Sequence, residues 1–109
     1  MQAETRFKKR VIELIRKIPG VFFYKAQQKA LRGIPDIIIC AGGKFIAWEL
    51  KVGKNKPDKL QQHIMENIAK AHGLAWTVTP DNVEWSIKQL QKIVGEQVKS
   101  LYSMEFNNE

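Results

Sequence analysis

The chain has 109 residues, of which 44% are hydrophobic, so it can form one small domain with a modest core and is too short for a second core. Lys and Arg outnumber Asp and Glu by 18 to 11, and the resulting net charge of +7 favours a phosphate-rich partner such as a nucleic acid. The single cysteine excludes an internal disulfide framework. Because there is no secretory signal pattern and no apolar run of the roughly 20 residues that span a bilayer, we expect a cytoplasmic protein without a membrane partner.

The first half of the chain predicts one helix and three strands. Apolar residues recur at helical spacing over residues 4–18, with basic residues on the opposite face. Three runs rich in aromatic and β-branched residues then predict strands, and Gly42-Gly43 between the last two is typical of a hairpin turn. These strands are residues 21–24, 34–40 and 45–52, with a polar, basic loop at 25–32.

The second half predicts helix, strand and helix. Asp58 caps a helix that ends near residue 72, a strand follows at 74–79, and the last helix has an apolar stripe from Val83 to Leu101. Residues 1–102 then form a single domain, and 103–109 form a flexible tail. The order αβββαβα predicts an α/β (α+β) fold with a mixed four-stranded sheet flanked by helices.

The hairpin places two acidic residues opposite each other. With the turn at Gly42-Gly43, paired positions sum to 85, so Asp36 faces Glu49 and Lys51 lies on the same face. Any even-length loop centred on the two glycines gives this pairing, whereas a three-residue loop would break it. Side chains directly opposite each other have Cβ atoms about 4.5–5.5 Å apart.

Two like charges in this position destabilise the hairpin, and a divalent cation would remove the conflict. Mg²⁺ typically takes one or two carboxylates and leaves its other positions to water and phosphate, while Lys51 could stabilise charge on a phosphate. The alternative is that Asp36 only begins a strand and that Glu49 and Lys51 form an exposed edge pair. The apolar residues on both faces of these strands favour a covered sheet, in which a charge is costly unless it is paired or metal-bound.

Two helix residues extend this candidate site. Glu4 falls within the apolar arc of the first helix, although an acid at a helix N-terminus also interacts favourably with the helix dipole. Gln61 lies near the centre of the inward arc of the second helix, although its spacing from Asp58 is also that of a capping box. The inward arc itself consists of Leu60, Ile64, Met65, Ile68 and Ala71.

Three motifs resemble those of the virus-type replication-repair nuclease (VRR-NUC) domain, a branch of the PD-(D/E)xK nuclease superfamily. They are Gly-x-Pro-Asp ending at Asp36, Glu-x-Lys at residues 49–51 and Leu-Gln at residues 60–61. The likeness extends from Glu4 to about Ile93. It implies a restriction-endonuclease-like core and hydrolysis of DNA phosphodiester bonds that depends on Mg²⁺ or Mn²⁺.

The resemblance also implies roles for individual residues. By matched position, Asp36 and Glu49 would hold the cation together with the backbone carbonyl of Leu50, and Lys51 would position or polarise the attacking water. Gln61 matches the family's helix glutamine. Glu4 matches the acid of its first helix, which reaches the metal directly or through water.

Basic residues are the candidate DNA contacts. Lys25 and Arg32 fall where the family carries basic residues near its substrate, and the basic helix face and loop add further phosphate contacts, which carry no sequence information. We therefore expect recognition of DNA structure rather than of a base sequence. The full candidate set is Lys8, Lys9, Lys25, Arg32, Lys54 and Lys56.

Small members of this family resemble phage or bacterial Holliday-junction resolvases, which act in DNA repair as homodimers. The sequence thus predicts a structure-selective endonuclease for branched DNA and a homodimer, because a two-fold dimer presents two sites to a junction. Trp76, Trp85, Tyr102 or Phe106 could supply the dimer surface, or could be ordinary core and tail residues. Two alternatives are a DNA-binding module with little or no catalysis and a nuclease of the same fold that cuts flaps or other structures.

Overall fold

The computed structural model describes residues 2–26 and 31–95, which form three helices and one four-stranded sheet. The predicted order αβββαβα is confirmed. The elements are α1 (Ala3–Arg16), β1 (Val21–Lys25), β2 (Ile37–Ala41), β3 (Lys44–Leu50), α2 (Lys59–Lys70), β4 (Leu74–Val78) and α3 (Val83–Gly95). Leu101 and the predicted tail lie outside the described residues. None of these helices has the length and apolarity needed to cross a bilayer.

The strands lie in the order β1-β2-β3-β4. The first two pairs are antiparallel, and β3 pairs with β4 in parallel. A parallel pair requires a crossover connection, which α2 supplies. The predicted fold class, a mixed four-stranded sheet flanked by helices, is therefore confirmed.

Several predicted boundaries are wrong, including the ends of α1 at Arg16 and of β3 at Leu50 rather than at residues 18 and 52. β2 begins at Ile37 rather than at residue 34, because Pro35 has no backbone N–H to donate and Gly33 adopts a left-handed φ of 81°. α2 ends at Lys70 rather than near residue 72, and the left-handed residue that follows it is His72, with a φ of 69°. Asp58 is the N-cap of α2, as predicted.

The sheet has two differently covered faces. The face that packs against α1 and α3, called here the α1/α3 face, carries the main hydrophobic core. The other face, called here the α2 face, packs against α2 only along β3 and β4. Buried residues of the core include Phe7, Val11, Ile15, Ile37, Ile39, Ile46, Trp48, Val78, Val83 and Leu90.

The α2 face is open over β1 and over the turn end of β2 and β3, whereas Ile38 of β2 is buried on this face. Phe22, Cys40 and Phe45 are neighbours across three strands, and all three are exposed. Tyr24 on the same face is also exposed. The prediction that β2 and β3 are covered on both faces is confirmed at Ile38 and Ala47, which are buried on the α2 face, and is wrong at Cys40 and Phe45 near the turn.

The predicted inward arc of α2 is also only partly correct. Ile64, Met65 and Ile68 are half-buried, but Leu60 and Ala71 are exposed and no residue of α2 is fully buried. Gly33 accounts for the position of Leu60, because a Cβ at Gly33 would come within 2.6 Å of the Leu60 side chain. The loop that leads to Asp36 therefore lies directly against the first turn of α2.

Candidate active site

The register of the β2–β3 hairpin confirms the predicted pairing. Ala41 pairs with Lys44 and Ile37 pairs with Trp48, so continuing the ladder by one residue places Asp36 opposite Glu49. Asp36 precedes β2, and its backbone carbonyl accepts a hydrogen bond from Ala26 N–H at 2.9 Å. The backbone at Asp36 is thus fixed to the end of β1 on one side and to the hairpin on the other.

The two carboxylate oxygens of Asp36 have different partners. Oδ2 accepts a hydrogen bond from the Leu50 backbone N–H at 2.7 Å, which fixes the side chain against the end of β3. Oδ1 lies 3.6 Å from the Lys8 ammonium nitrogen. The Asp36 side chain is only 12% exposed, so both partners stabilise a largely desolvated charge.

Glu49 is the most deeply buried charged residue of the site, with 1% of its surface exposed. Its Oε2 lies 3.4 Å from the Lys51 ammonium nitrogen, while its buried Oε1 has no hydrogen-bond partner among the described residues. Burial, together with the negative charge of Asp36, raises the pKa of Glu49 from 4.5 to about 7, against the opposite effect of Lys51. Lys51 therefore compensates only part of the free-energy cost of ionising Glu49 in this buried position.

A pocket of about 270 Å³ opens beside Asp36, between the start of α1 and the end of β3. Glu4 lies at its exposed edge and accepts a hydrogen bond from Asn55 Nδ2 at 3.2 Å. The structure thus brings Glu4 and Asp36 to one pocket, whereas Glu49 is not among its lining residues. Its lining consists of Glu4, Thr5, Phe7, Lys8, Asp36, Leu50 and Val52.

Gln61 forms a capping box with Asp58. Its side-chain carbonyl accepts from the Asp58 N–H at 2.9 Å, and its own N–H donates to Asp58 Oδ1 at 2.8 Å. This is the capping alternative for Gln61, and it holds the carbonyl oxygen at the start of α2. A catalytic role of Gln61 stays a prediction.

The donors present fit a hard divalent cation. Within residues 2–26 and 31–95, no three His, Cys, Asp or Glu side chains gather into one metal-binding group, so Glu4, Asp36 and Glu49 do not form a three-carboxylate site. Mg²⁺, however, usually takes only one or two carboxylates and keeps several waters. Asp36 and Glu49 are two carboxylates opposite each other, and Oε1 of Glu49 is a buried acceptor without a donor among the described residues.

The candidate DNA contacts divide into two groups. Lys8 is a site residue, because its ammonium group faces Asp36 inside the pocket. The others are exposed, and two of them flank Asn55, whose hydrogen bond to Glu4 places their loop at the pocket edge. The exposed residues are Lys9, Lys25, Arg32, Lys54 and Lys56.

The tryptophans proposed for a dimer surface have different environments. Trp76 donates to Ser86 Oγ at 2.9 Å and packs against the buried Trp48, with ring centroids 5.7 Å apart. Trp85 packs on Trp76 and is 54% exposed. The other two candidates, Tyr102 and Phe106, lie outside the described residues.

Sequence reasoning missed the pairing of Lys8 with Asp36. The available signal was the spacing of Glu4 and Lys8, because residues four apart lie on the same side of a helix. It also missed Asn55 as the partner of Glu4, for which the sequence contains no comparable periodic signal.

Comparison with known proteins adds a likeness in structure. No protein-family model and no curated protein matches this chain. Among solved structures, the chain is similar to Hjc of Archaeoglobus fulgidus, a Holliday junction resolvase from an archaeal hyperthermophile. The TM-score is 0.46 at 19% sequence identity, covering 69% of this chain and 67% of that chain. A similarity at this level does not assign an activity.

Proposed function

We propose that this protein is a nuclease that hydrolyses phosphodiester bonds in DNA and depends on Mg²⁺ or Mn²⁺. The observation that carries this proposal is Glu49, a carboxylate buried opposite Asp36 with one oxygen that has no partner in the part of the chain that the structure describes. Burying such a charge costs several kcal/mol unless it is compensated, on the order of the penalties known for buried ions. A structural role alone gives no reason for that cost, whereas a cation site does.

The residues of the site have distinct roles in this proposal. Asp36 and Glu49 would hold the cation, with the backbone carbonyl of Leu50 as a further ligand. A divalent cation in this position would lower the pKa of a bound water and neutralise charge on the phosphate. Lys51, which is 19% exposed beside Glu49, would orient the attacking water or stabilise the charge that develops on the phosphate.

Charge and exposure support DNA as the substrate. The chain has a net charge of +7, and the exposed lysines beside Asn55 lie at the pocket edge. Such residues bind phosphates without reading bases, so the proposal specifies a structure-selective endonuclease, with junction DNA as substrate and DNA repair as the setting. It further specifies a homodimer, which would offer two sites to the two symmetry-related strands of a junction.

Cleavage of a four-way junction, a flap and a linear duplex, assayed side by side with Mg²⁺ and Mn²⁺, tests the proposal. We expect the junction to be cut fastest. Asp36→Asn, Glu49→Gln and Lys51→Met should each lower kcat by about 100-fold or more. Glu66→Gln is the matched control for Glu49→Gln, because Glu66 is an exposed acid on α2 away from the pocket beside Asp36.

Three outcomes would contradict parts of the proposal. Full activity of Glu49→Gln would remove the site assignment. Binding of junction DNA without cleavage under any of these conditions would favour the binding-module alternative. A light-scattering mass of a monomer on junction DNA would exclude the homodimer.

A further inference from the structure

Lys8 lies in the candidate site rather than on the outer basic surface. Its ammonium nitrogen is 3.6 Å from Asp36 Oδ1, and its side chain lines the same pocket as Glu4 and Asp36. Lys9, the next residue, is exposed. The two adjacent lysines of α1 therefore have different environments.

The contact between Lys8 and Asp36 involves Oδ1 of the Asp36 carboxylate. Oδ2 accepts the short hydrogen bond from the Leu50 N–H, which leaves it one lone pair, whereas Oδ1 accepts no backbone hydrogen bond from the described residues and is the more accessible oxygen for a ligand. In the structure, that oxygen faces Lys8. A divalent cation bound to Oδ1 would have to approach the position that the ammonium group holds.

Charge balance leads to the same conclusion. With Glu49 ionised, the carboxylates of Asp36 and Glu49 balance the ammonium groups of Lys8 and Lys51, and Glu4 at the pocket edge adds one negative charge. Adding a divalent cation would leave an excess of positive charge in this group unless an ammonium group withdrew or an anionic phosphate entered.

Lys8 is the ammonium group that can withdraw. Its side chain is 38% exposed, compared with 19% for Lys51. A lysine side chain on a helix surface has a flexible four-carbon stem, and its end can move several ångströms without any change in the backbone.

We propose that Lys8 is an internal counter-cation of the site: it holds Asp36 when no divalent cation is present, and it moves to a DNA phosphate when a cation binds Asp36. This inference rests on the proposed function, because it takes Asp36 as a cation ligand. Lys8 is then a positioning residue that binds Asp36 first and a DNA phosphate after the cation has bound. Cation binding and phosphate binding are thereby coupled, since the cation releases the group that the phosphate needs.

Isothermal titration of Mn²⁺ into the metal-free protein tests this inference without any cleavage. Lys8→Met removes the competing charge, so we expect about tenfold tighter Mn²⁺ binding, a change of about 1.4 kcal/mol. Lys8→Arg keeps the charge and should bind Mn²⁺ like the native protein. Lys17→Met is the charge-matched control, because Lys17 is exposed at the far end of α1 and should leave the affinity unchanged.

The second half of the coupling is measured with DNA. With Ca²⁺ in place of Mg²⁺, the native protein should bind a four-way junction more tightly than without cation, and Lys8→Met should lose most of that gain. Circular dichroism checks that each variant is folded. If Lys8→Met is not folded, Lys8→Gln, which keeps a polar end, is used in its place.

The outcomes separate this inference from the proposed function. If native protein binds Mn²⁺ and Asp36→Asn does not, but Lys8→Met binds it no more tightly than native, the counter-cation role is overturned and the nuclease proposal stands. If the native protein binds no Mn²⁺, or Asp36→Asn binds it equally well, both proposals fail. If Lys17→Met also binds Mn²⁺ more tightly than native protein, the effect comes from the overall charge of the protein. That result would also overturn the role of Lys8.

Discussion

Trp48 and Glu49 are neighbours on β3, and they send equally buried side chains to opposite faces of the sheet, 0% and 1% exposed. Trp48 lies on the α1/α3 face, within a core of apolar side chains contributed by both helices. Glu49 lies on the α2 face, opposite Asp36 and beside Lys51. The same strand thus supports a packed core on one side and a charged group on the other.

The difference shows that burial has opposite effects on stability at the two faces of this small domain. On the α1/α3 face, removing apolar surface from water stabilises the fold at about 25 cal/mol per Å². On the α2 face, removing the Glu49 carboxylate from water costs free energy, and the raised pKa of Glu49 reports that cost. We infer that the α1/α3 face stabilises the domain sufficiently for the other face to retain a destabilising group for function.

The largest expected effect is on the α1/α3 face. Trp48→Ala should lower the free energy of unfolding by about 3–5 kcal/mol, because it leaves a large cavity among side chains that already fill this face. Urea denaturation followed by circular dichroism measures the change. Trp85→Ala is the matched control, and it should cost far less because Trp85 is 54% exposed. A loss below about 1 kcal/mol for Trp48→Ala would mean that this face is not the stabilising core.

The features that could be predicted from the sequence are those fixed by local periodicity. The two glycines at the turn set the hairpin register, and the two-residue alternation of strands then places Asp36 and Glu49 opposite each other on one face. The helical arc of α1 likewise predicted residues that are buried, such as Val11 and Ile15. Each of these inferences needs only neighbours within one element or one hairpin.

The features that could not be predicted depend on where separate elements pack. The coverage of the α2 face depends on the position of α2, which passes over β3 and β4 and leaves Phe22 and Tyr24 exposed. The contact of Lys8 with Asp36 joins a helix to the residue before a distant strand. The spacing of Glu4 and Lys8 places both on one side of α1, but it does not show which strand that side meets. Gln61 shows a third limit, because a capping box and an inward-facing catalytic glutamine have the same local pattern.

A smaller effect is expected on the α2 face, and it should depend on pH. The folded-state pKa of Glu49, about 7, lies above its ordinary value of 4.5. The folded protein therefore binds the Glu49 proton more tightly than the unfolded chain, and the associated stability is complete below pH 4.5 and lost as the pH rises through 7. Glu49→Gln, which remains neutral, should be about 1–2 kcal/mol more stable than native protein at pH 8 and equally stable at pH 4.

Urea denaturation in the presence of EDTA at these two pH values measures this difference without a bound cation. Glu66→Gln serves as the control, because Glu66 is an exposed acid whose substitution should produce no comparable pH dependence. If the free energies of unfolding of Glu49→Gln and native protein differ by the same amount at pH 4 and pH 8, the idea that the Glu49 charge is uncompensated is wrong. The two faces would then differ in composition but not in the free energy of burial.

The smallest expected effect is that of Phe22→Ala, which compares the two faces at consecutive residues of β1 when it is set beside Phe23→Ala. Phe23 packs against the core of the α1/α3 face, whereas Phe22 is 68% exposed on the α2 face. Both Phe→Ala substitutions lose the same strand propensity, so the difference between them isolates the packing on each face. We expect Phe23→Ala to cost about 2–3 kcal/mol and Phe22→Ala about 0.5 kcal/mol or less, measured by urea denaturation at low protein concentration. An equal cost at both positions would mean that the α2 face is covered in solution. If that cost also rose with protein concentration, a second copy of the chain would be what covers it.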